Sequence, residues 1–230
     1  MLYILDTANL DMIAHCNEYY PLAGVTTNPS IIAKEKTDFW QLLLKIREII
    51  GEEKMLHVQI TAKKAEDIVR EAQLLKERLG GNFYVKIPIS EEGLKATMML
   101  RKLDIKVTMT AIFTSAQALL AAKAGASFVA PYVNRLDNII GDGVDVVAQI
   151  VELFQTHGLD TQVLAASFKT AREVLDVAIE GAQCATVSSS VMRRLLAHTT
   201  TDTSIEGFKK DWIRAFGDTT LLALINQTNK

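Results

Sequence analysis

A single α/β domain of the (β/α)8, or TIM-barrel, type with an additional C-terminal helix is what this sequence predicts, and three observations predict it. Short apolar runs rich in β-branched and aromatic residues alternate with longer amphipathic segments from end to end. Buried parallel strands and the helices that cover them leave this pattern. No Pro/Ser-rich linker or shift in composition divides the chain into two domains. A polar residue closes each of the first seven apolar runs, and a parallel barrel carries its chemistry at the C-terminal ends of its strands. An open doubly wound sheet shares the alternation, because periodicity does not report closure.

The eight predicted strands cover residues 2–7, 24–28, 56–60, 83–88, 106–112, 127–134, 162–168 and 185–188. The clearest helix covers 62–79, where Ala65, Ile68, Val69, Ala72, Leu75 and Leu79 recur every three or four residues on one stripe. Helices are also predicted over 94–103, 116–124, 144–154 and 172–179. Asn28-Pro29 reads as an N-cap with proline at the first helical position. Ser90-Glu91-Glu92 places a cap and two acids at a helix start, and Thr114-Ser115-Ala116-Gln117 has the capping-box spacing. Gly125 and Gly181 stand where helices should stop. The predicted domain spans 1–230, with 201–230 as a helical extension: one helix to Phe216, a stop at Gly217, then an apolar helix holding Leu221, Leu222, Leu224 and Ile225.

Charge and composition exclude several classes of function. With 25 Lys+Arg against 27 Asp+Glu, the net charge of −2 lacks the basic excess of a nucleic-acid binder. Hydrophobic residues at 49% and charged residues at 23% describe a folded chain. No run approaches the roughly 18 apolar residues of a membrane span. The opening MLYILDTANLD has no basic region of the kind that starts a signal peptide. Cys16 and Cys184 are far apart and outside any C-x-x-C pair, which suits free thiols in a reducing, cytoplasmic setting. The four histidines show no metal-binding spacing, so neither a metal nor another cofactor is expected.

The candidate functional residues are Asp6, Asn28, Gln59, Lys86, Thr110, Tyr132 and Ser167, at or near the ends of successive predicted strands. Residues two apart in a strand share a face, so Lys86 goes with Tyr84, Tyr132 with Ala130, and Ser167 with Ala165. Lys86 is the sharpest signal, because it interrupts the apolar run Phe83-Tyr84-Val85-Lys86-Ile87-Pro88. A buried ammonium is costly unless paired, and a lysine that gives up its proton becomes a nucleophile able to form a Schiff base. A lysine reaching solvent or pairing with Asp6 is the plainer alternative. The others have plain readings too: an Asx turn for Asp6, an N-cap for Asn28, local hydrogen bonds for Thr110 and Ser167, a core amide for Gln59 and a rim aromatic for Tyr132. His57 shares the face of Gln59 and reads as a packed neutral histidine beneath the site.

Four segments carry a resemblance: Leu22-Ala-Gly-Val-Thr-Thr-Asn-Pro-Ser30, Val85-Lys-Ile-Pro88, Ala130-Pro-Tyr-Val-Asn-Arg135 and Leu164-Ala-Ala-Ser-Phe-Lys169. Over nearly the whole chain the sequence resembles the transaldolase family, in particular its fructose-6-phosphate aldolase branch. The resemblance implies a metal-free class I aldolase that joins dihydroxyacetone to a sugar phosphate, glyceraldehyde 3-phosphate. By resemblance, Lys86 is the Schiff-base lysine and Asp6 its neighbouring acid–base carboxylate. Gln59, Thr110 and Tyr132 match the residues that hold a catalytic water, Asn28 a substrate contact, and Arg135 with Ser167 the phosphate-binding pair. Arg135 read alone is equally an ion-pair partner of Asp137. In the transaldolases that the chain resembles, glutamate commonly stands where Gln59 is and phenylalanine where Tyr132 is. The alternatives are a transaldolase using the same lysine and a sugar-phosphate-binding barrel without catalysis. The resemblance also implies a homo-oligomer, a decamer of two pentamers, with the apolar tail reaching a neighbouring subunit.

Overall fold

The computed structural model describes residues 1–139 and 141–228. Its strands are β1 (Leu2–Asp6), β2 (Leu22–Thr26), β3 (Met55–Gln59), β4 (Phe83–Pro88), β5 (Val107–Ile112), β6 (Phe128–Pro131), β7 (Gln162–Ala165) and β8 (Cys184–Val187). They pair in sequence order into a closed barrel, and every pairing is parallel, including β1 with β8. Closure decides between the two predicted architectures in favour of the barrel. The helices are α1 (Leu10–Tyr19), α2 (Pro29–Lys34), α3 (Phe39–Ile50), α4 (Ala65–Leu79), α5 (Glu91–Arg101), α6 (Ser115–Ala124), α7 (Val133–Asp137), α8 (Gly143–Thr156), α9 (Ala171–Ile179), α10 (Ser189–Leu196), α11 (Thr199–Phe216) and α12 (Leu221–Thr228). By compactness, Met1–Met192 forms one unit, and the residues from Arg193 onward form a second.

Local chemistry explains where most helices begin. Asn28 accepts from the backbone N–H of Ile31 with Pro29 behind it, and Ser90 accepts from Gly93. Thr114 caps α6 by accepting from Gln117 N–H, but the reciprocal half of the expected capping box is missing. The Gln117 side chain accepts instead from Phe113 N–H, one residue earlier. The complete capping box is at Thr170 and Glu173, at the start of α9. Gly125 ends α6 in a left-handed conformation, φ 98°.

Inside the barrel, Ile4, Met55, Tyr84, Phe128, Leu164 and Cys184 form an apolar floor. One inward position further along, the layer turns polar: Thr26, His57, Lys86, Thr108 and Thr186 are all buried. The floor also tests the strand parities. Tyr84 and Phe128 lie in it, so Lys86 and Ala130 are inward, while Tyr132 lies one residue past β6 and is joined to Thr110 by a hydrogen bond. Leu164 lies in it too, so Ala165 faces the helices and Ser167 does not share an inward face with it. Ser167 lies beyond the end of β7 at φ 67°, where strand alternation no longer holds.

In the second unit, α11 and α12 are joined through Gly217. The Trp212 indole N–H donates to the Thr219 carbonyl at 2.7 Å, and its ring lies 4.7 Å from that of Phe216. Among the described residues no helix is long and apolar enough to cross a membrane.

Candidate active site

Lys86 stands on the inner face of β4, in register with Gln59 on β3 and Thr108 on β5. Its residue is only 3% exposed, which removes the alternative of a head in solvent. The ammonium donates one long hydrogen bond, 3.5 Å, to the carbonyl of Thr27 just past β2. Among the described ion pairs, none within 4.0 Å joins it to Asp6. The two groups interact through charge alone.

Asp6 ends β1 and accepts from the Thr26 hydroxyl at 2.8 Å. Thr26 in turn lies 2.6 Å from the Thr186 hydroxyl on β8. With the single Thr26 proton committed to the carboxylate, Thr186 is the donor in that contact, and a relay of hydroxyls runs from β8 through β2 to Asp6. Burial raises the Asp6 carboxyl above its ordinary range, with the Lys86 charge and the Thr26 hydrogen bond opposing it. Sequence reasoning did not single out Thr26 or Thr186. They share parity with other inward residues, but only closure of β8 onto β1 makes them neighbours.

Thr110, fully buried on β5, shares a 3.1 Å hydrogen bond with the Tyr132 phenol. Tyr132 follows β6 rather than lying within it, because the chain turns there into α7. Its backbone N–H donates to the Ile112 carbonyl, and Val133 and Asn134 donate to the carbonyls of Ala166 and Ser167. Tyr132 is thus tied to β5, and the residues after it to the end of β7. Ala111 at φ 57° and a register shift in β5–β6 stand beside Thr110.

The remaining expected residues surround this centre less tightly. Gln59 ends β3 half-buried and borders a cavity of about 670 Å³ with Pro29, Ile87 and Pro88. Asn28 spends its carbonyl oxygen on the α2 cap, which leaves its amide N–H₂ for other partners. Arg135 is exposed on α7, its guanidinium 5.0 Å over the Tyr132 ring. It does not pair with Asp137, whose carboxylate accepts from Gly143 N–H instead. Ser167 is half-buried, and its carbonyl accepts from Asn134 N–H. A second cavity, about 530 Å³, lies at the opposite end of the barrel and is lined by Arg101, Lys106 and Lys123.

His57 is fully buried and lies flat on Tyr84, with ring centroids 4.5 Å apart and planes 9° apart. Burial, and then the Lys86 charge, lower its pKa to about 3, so the ring is neutral at ordinary pH. That agrees with a packed neutral histidine.

Residues 3–225 match the family described as transaldolase/fructose-6-phosphate aldolase. The chain belongs to that family. A relative from Brachyspira hyodysenteriae, described as a probable transaldolase, is 43% identical over 217 residues, covering 94% of this chain and all of the relative. Among solved structures, a mandelate oxidase mutant with an FMN adduct superposes with a TM-score of 0.57 at 12% identity, over 83% of this chain and 64% of that one. A flavocytochrome b2 mutant with benzoylformate gives 0.61 at 12% identity, over 82% of this chain and 57% of that one. The chain therefore spans less than two thirds of each of those structures, and the likeness is one of barrel fold alone.

Proposed function

We propose that this family member is a class I aldolase that reversibly cleaves fructose 6-phosphate to dihydroxyacetone and glyceraldehyde 3-phosphate through an imine on Lys86. One observation carries the reading: a primary amine stands on the inner wall of a closed barrel, nearly free of solvent, with one long bond to a neutral carbonyl. In this reaction the Lys86 amine attacks C2 of the ketose, and water leaves as the imine forms. A proton then leaves the C4 hydroxyl, the C3–C4 bond breaks, and its electron pair moves to the iminium nitrogen, giving an enamine and glyceraldehyde 3-phosphate. Protonation at C3 and hydrolysis release dihydroxyacetone. Asp6 serves the proton transfers around the amine, and its raised pKa suits that task. Tyr132 and Thr110, already hydrogen-bonded to one another, position a water together with Gln59. Arg135 and Ser167, brought to one side by the bonds between α7 and the end of β7, receive the phosphate. Asn28 offers its amide to the substrate.

Reduction with borohydride in the presence of dihydroxyacetone tests the imine. A mass increment is expected on the peptide holding Lys86 and is absent in Lys86→Arg, which also loses turnover because guanidinium stays protonated. Failure to trap any ketone on wild type sinks the catalytic reading and leaves a binding barrel.

Transaldolase activity is the second reading, favoured by the description of the relative that shares 43% identity. The phenol of Tyr132 favours the aldolase. A donor beside the enamine helps protonate it, so the ketone leaves before a second aldehyde captures it. Tyr132→Phe should cut cleavage of fructose 6-phosphate by about 10²-fold while ketol transfer to erythrose 4-phosphate falls less. Equal loss of both, or a wild type that is the better transferase, gives the assignment to the rival.

A further inference from the structure

His57 is fully buried, yet the reaction proposed above gives it no task. Its Nδ1 lies 2.8 Å from the Thr108 hydroxyl. Strands β3 and β5 flank β4, so this bond crosses the inner face of β4 between Tyr84 below and Lys86 above. The ring is packed flat on Tyr84 and edge-on to Phe128. Its other nitrogen, Nε2, is buried without a hydrogen-bond partner, a condition that buried polar groups rarely tolerate.

Lys86 is under-satisfied in the complementary sense. Its ammonium has three donors and the single 3.5 Å bond to Thr27. To reach that carbonyl beyond β2, a side chain rooted on β4 must cross β3, and His57 is the inward residue of β3 beneath that path. An unsatisfied donor and an unsatisfied ring nitrogen therefore occupy the same layer of the barrel.

We propose that His57 is a positioning residue for Lys86, its unprotonated Nε2 accepting a hydrogen bond from one enclosed water that in turn accepts from Lys86 Nζ, while Nδ1–H donates to Thr108. The opposite tautomer leaves a buried N–H without an acceptor. The imidazolium is disfavoured by burial and by the lysine's own charge. Held by Thr27 on one N–H and by the His57-bound water on another, the amine presents its remaining position away from the strand wall. The titratable groups facing Lys86 among the described residues are Asp6 from β1, His57 from β3, Tyr84 from its own strand, Tyr132 after β6 and Cys184 on the floor from β8. Inward positions on β2, β5 and β7 supply threonines, Leu164 and Ala166, none of which titrates.

The inference rests on the aldolase reading only for its effect on turnover, so its test is made first without substrate. Nitrogen-15 NMR of the wild-type protein should show His57 protonated at Nδ1 and unprotonated at Nε2; the reverse tautomer overturns the proposal. His57→Phe keeps the stack on Tyr84 and removes both ring nitrogens, while His57→Gln restores an acceptor. In Lys86→Met, which removes the donor, the Nε2 resonance should move downfield toward that of an imidazole nitrogen without a hydrogen bond. An unchanged Nε2 resonance in a folded Lys86→Met assigns His57 to packing alone and overturns the proposal, and if that variant fails to fold, the wild-type tautomer decides. With substrate, His57→Phe should lower kcat about tenfold with little change in KM. If borohydride traps no imine while the tautomer and the Nε2 resonance behave as stated, the aldolase reading falls and the role of His57 stands.

Discussion

Burial raises the pKa of Asp6 against the pull of Lys86 and the Thr26 hydroxyl, and this has a consequence for stability. A carboxyl whose folded pKa exceeds its unfolded value near 3.8 favours the fold fully below that value and loses the contribution as pH rises through the folded one. Ionised Asp6 therefore costs stability at neutral pH. His57 has the opposite sign of pH dependence. Its contribution is present above the unfolded value of 6.5 and is lost as pH falls toward about 3. Asp6→Asn keeps an oxygen for the Thr26 hydroxyl and removes the charge. It should melt at a higher temperature than wild type at pH 7, the gain shrinking as pH falls toward 3.8, and should lose about 10²-fold in turnover. Thermal melts across that range check the sign; a lower melting temperature at pH 7 would mean that the ionised carboxylate is compensated after all.

The elements themselves record how closely spacing is maintained. Gly24 on β2 pairs with Ile4 and Met55, and a Cβ placed there would sit 2.2 Å from the Met55 carbonyl oxygen. That oxygen belongs to the neighbouring strand's backbone, so it cannot swing away as a side chain would. Gly24→Ala should cost about 1–3 kcal/mol, read as a lower urea midpoint; an unchanged midpoint would show that β2 and β3 can separate without loss. Strand β4 was legible to the residue, because Pro88 stops an apolar run that Phe83 begins. Strands β6 and β7 end earlier than the expected 134 and 168. Val133 and Asn134, the last residues of the predicted strand, instead open a helix of five residues, too short to show a period. The turn at Ser167 and the kink at Ala111 use left-handed backbone without glycine, so no residue type announces them. Helices α1 and α3, capped by Asn9 and Asp38, are not among the helices that periodicity predicts. Lys86 and Asp6 stood out in the sequence because a charge in an apolar strand is costly, whereas the Thr26–Thr186 contact depends on ring closure.

At the scale of the whole molecule, the second unit carries apolar surface out of proportion to two helices. Ile205, Phe208, Ile213 and Phe216 on α11 and Leu221, Leu222 and Ile225 on α12 are exposed. Ile205, Phe208 and Phe216 recur at helical spacing on one face of α11, and an exposed apolar face marks a contact with another molecule more often than bare solvent-facing helix. The family resemblance supplies a candidate, a neighbouring subunit in a ring of five stacked on a second ring. The bond from Trp212 to Thr219 fixes the turn between the two helices, so α12 is presented in a set direction from α11. Ending the chain before Asp218 removes α12 together with that anchor while leaving every barrel strand intact. If the tail binds neighbouring subunits, the truncated protein should show a smaller mass by light scattering than the full chain at the same concentration. Circular dichroism should change only by the loss of one helix. If the tail serves only its own chain, the mass stays the same and the melting temperature falls instead. An unchanged assembly with a lowered melting temperature would therefore remove the tail from the subunit interface.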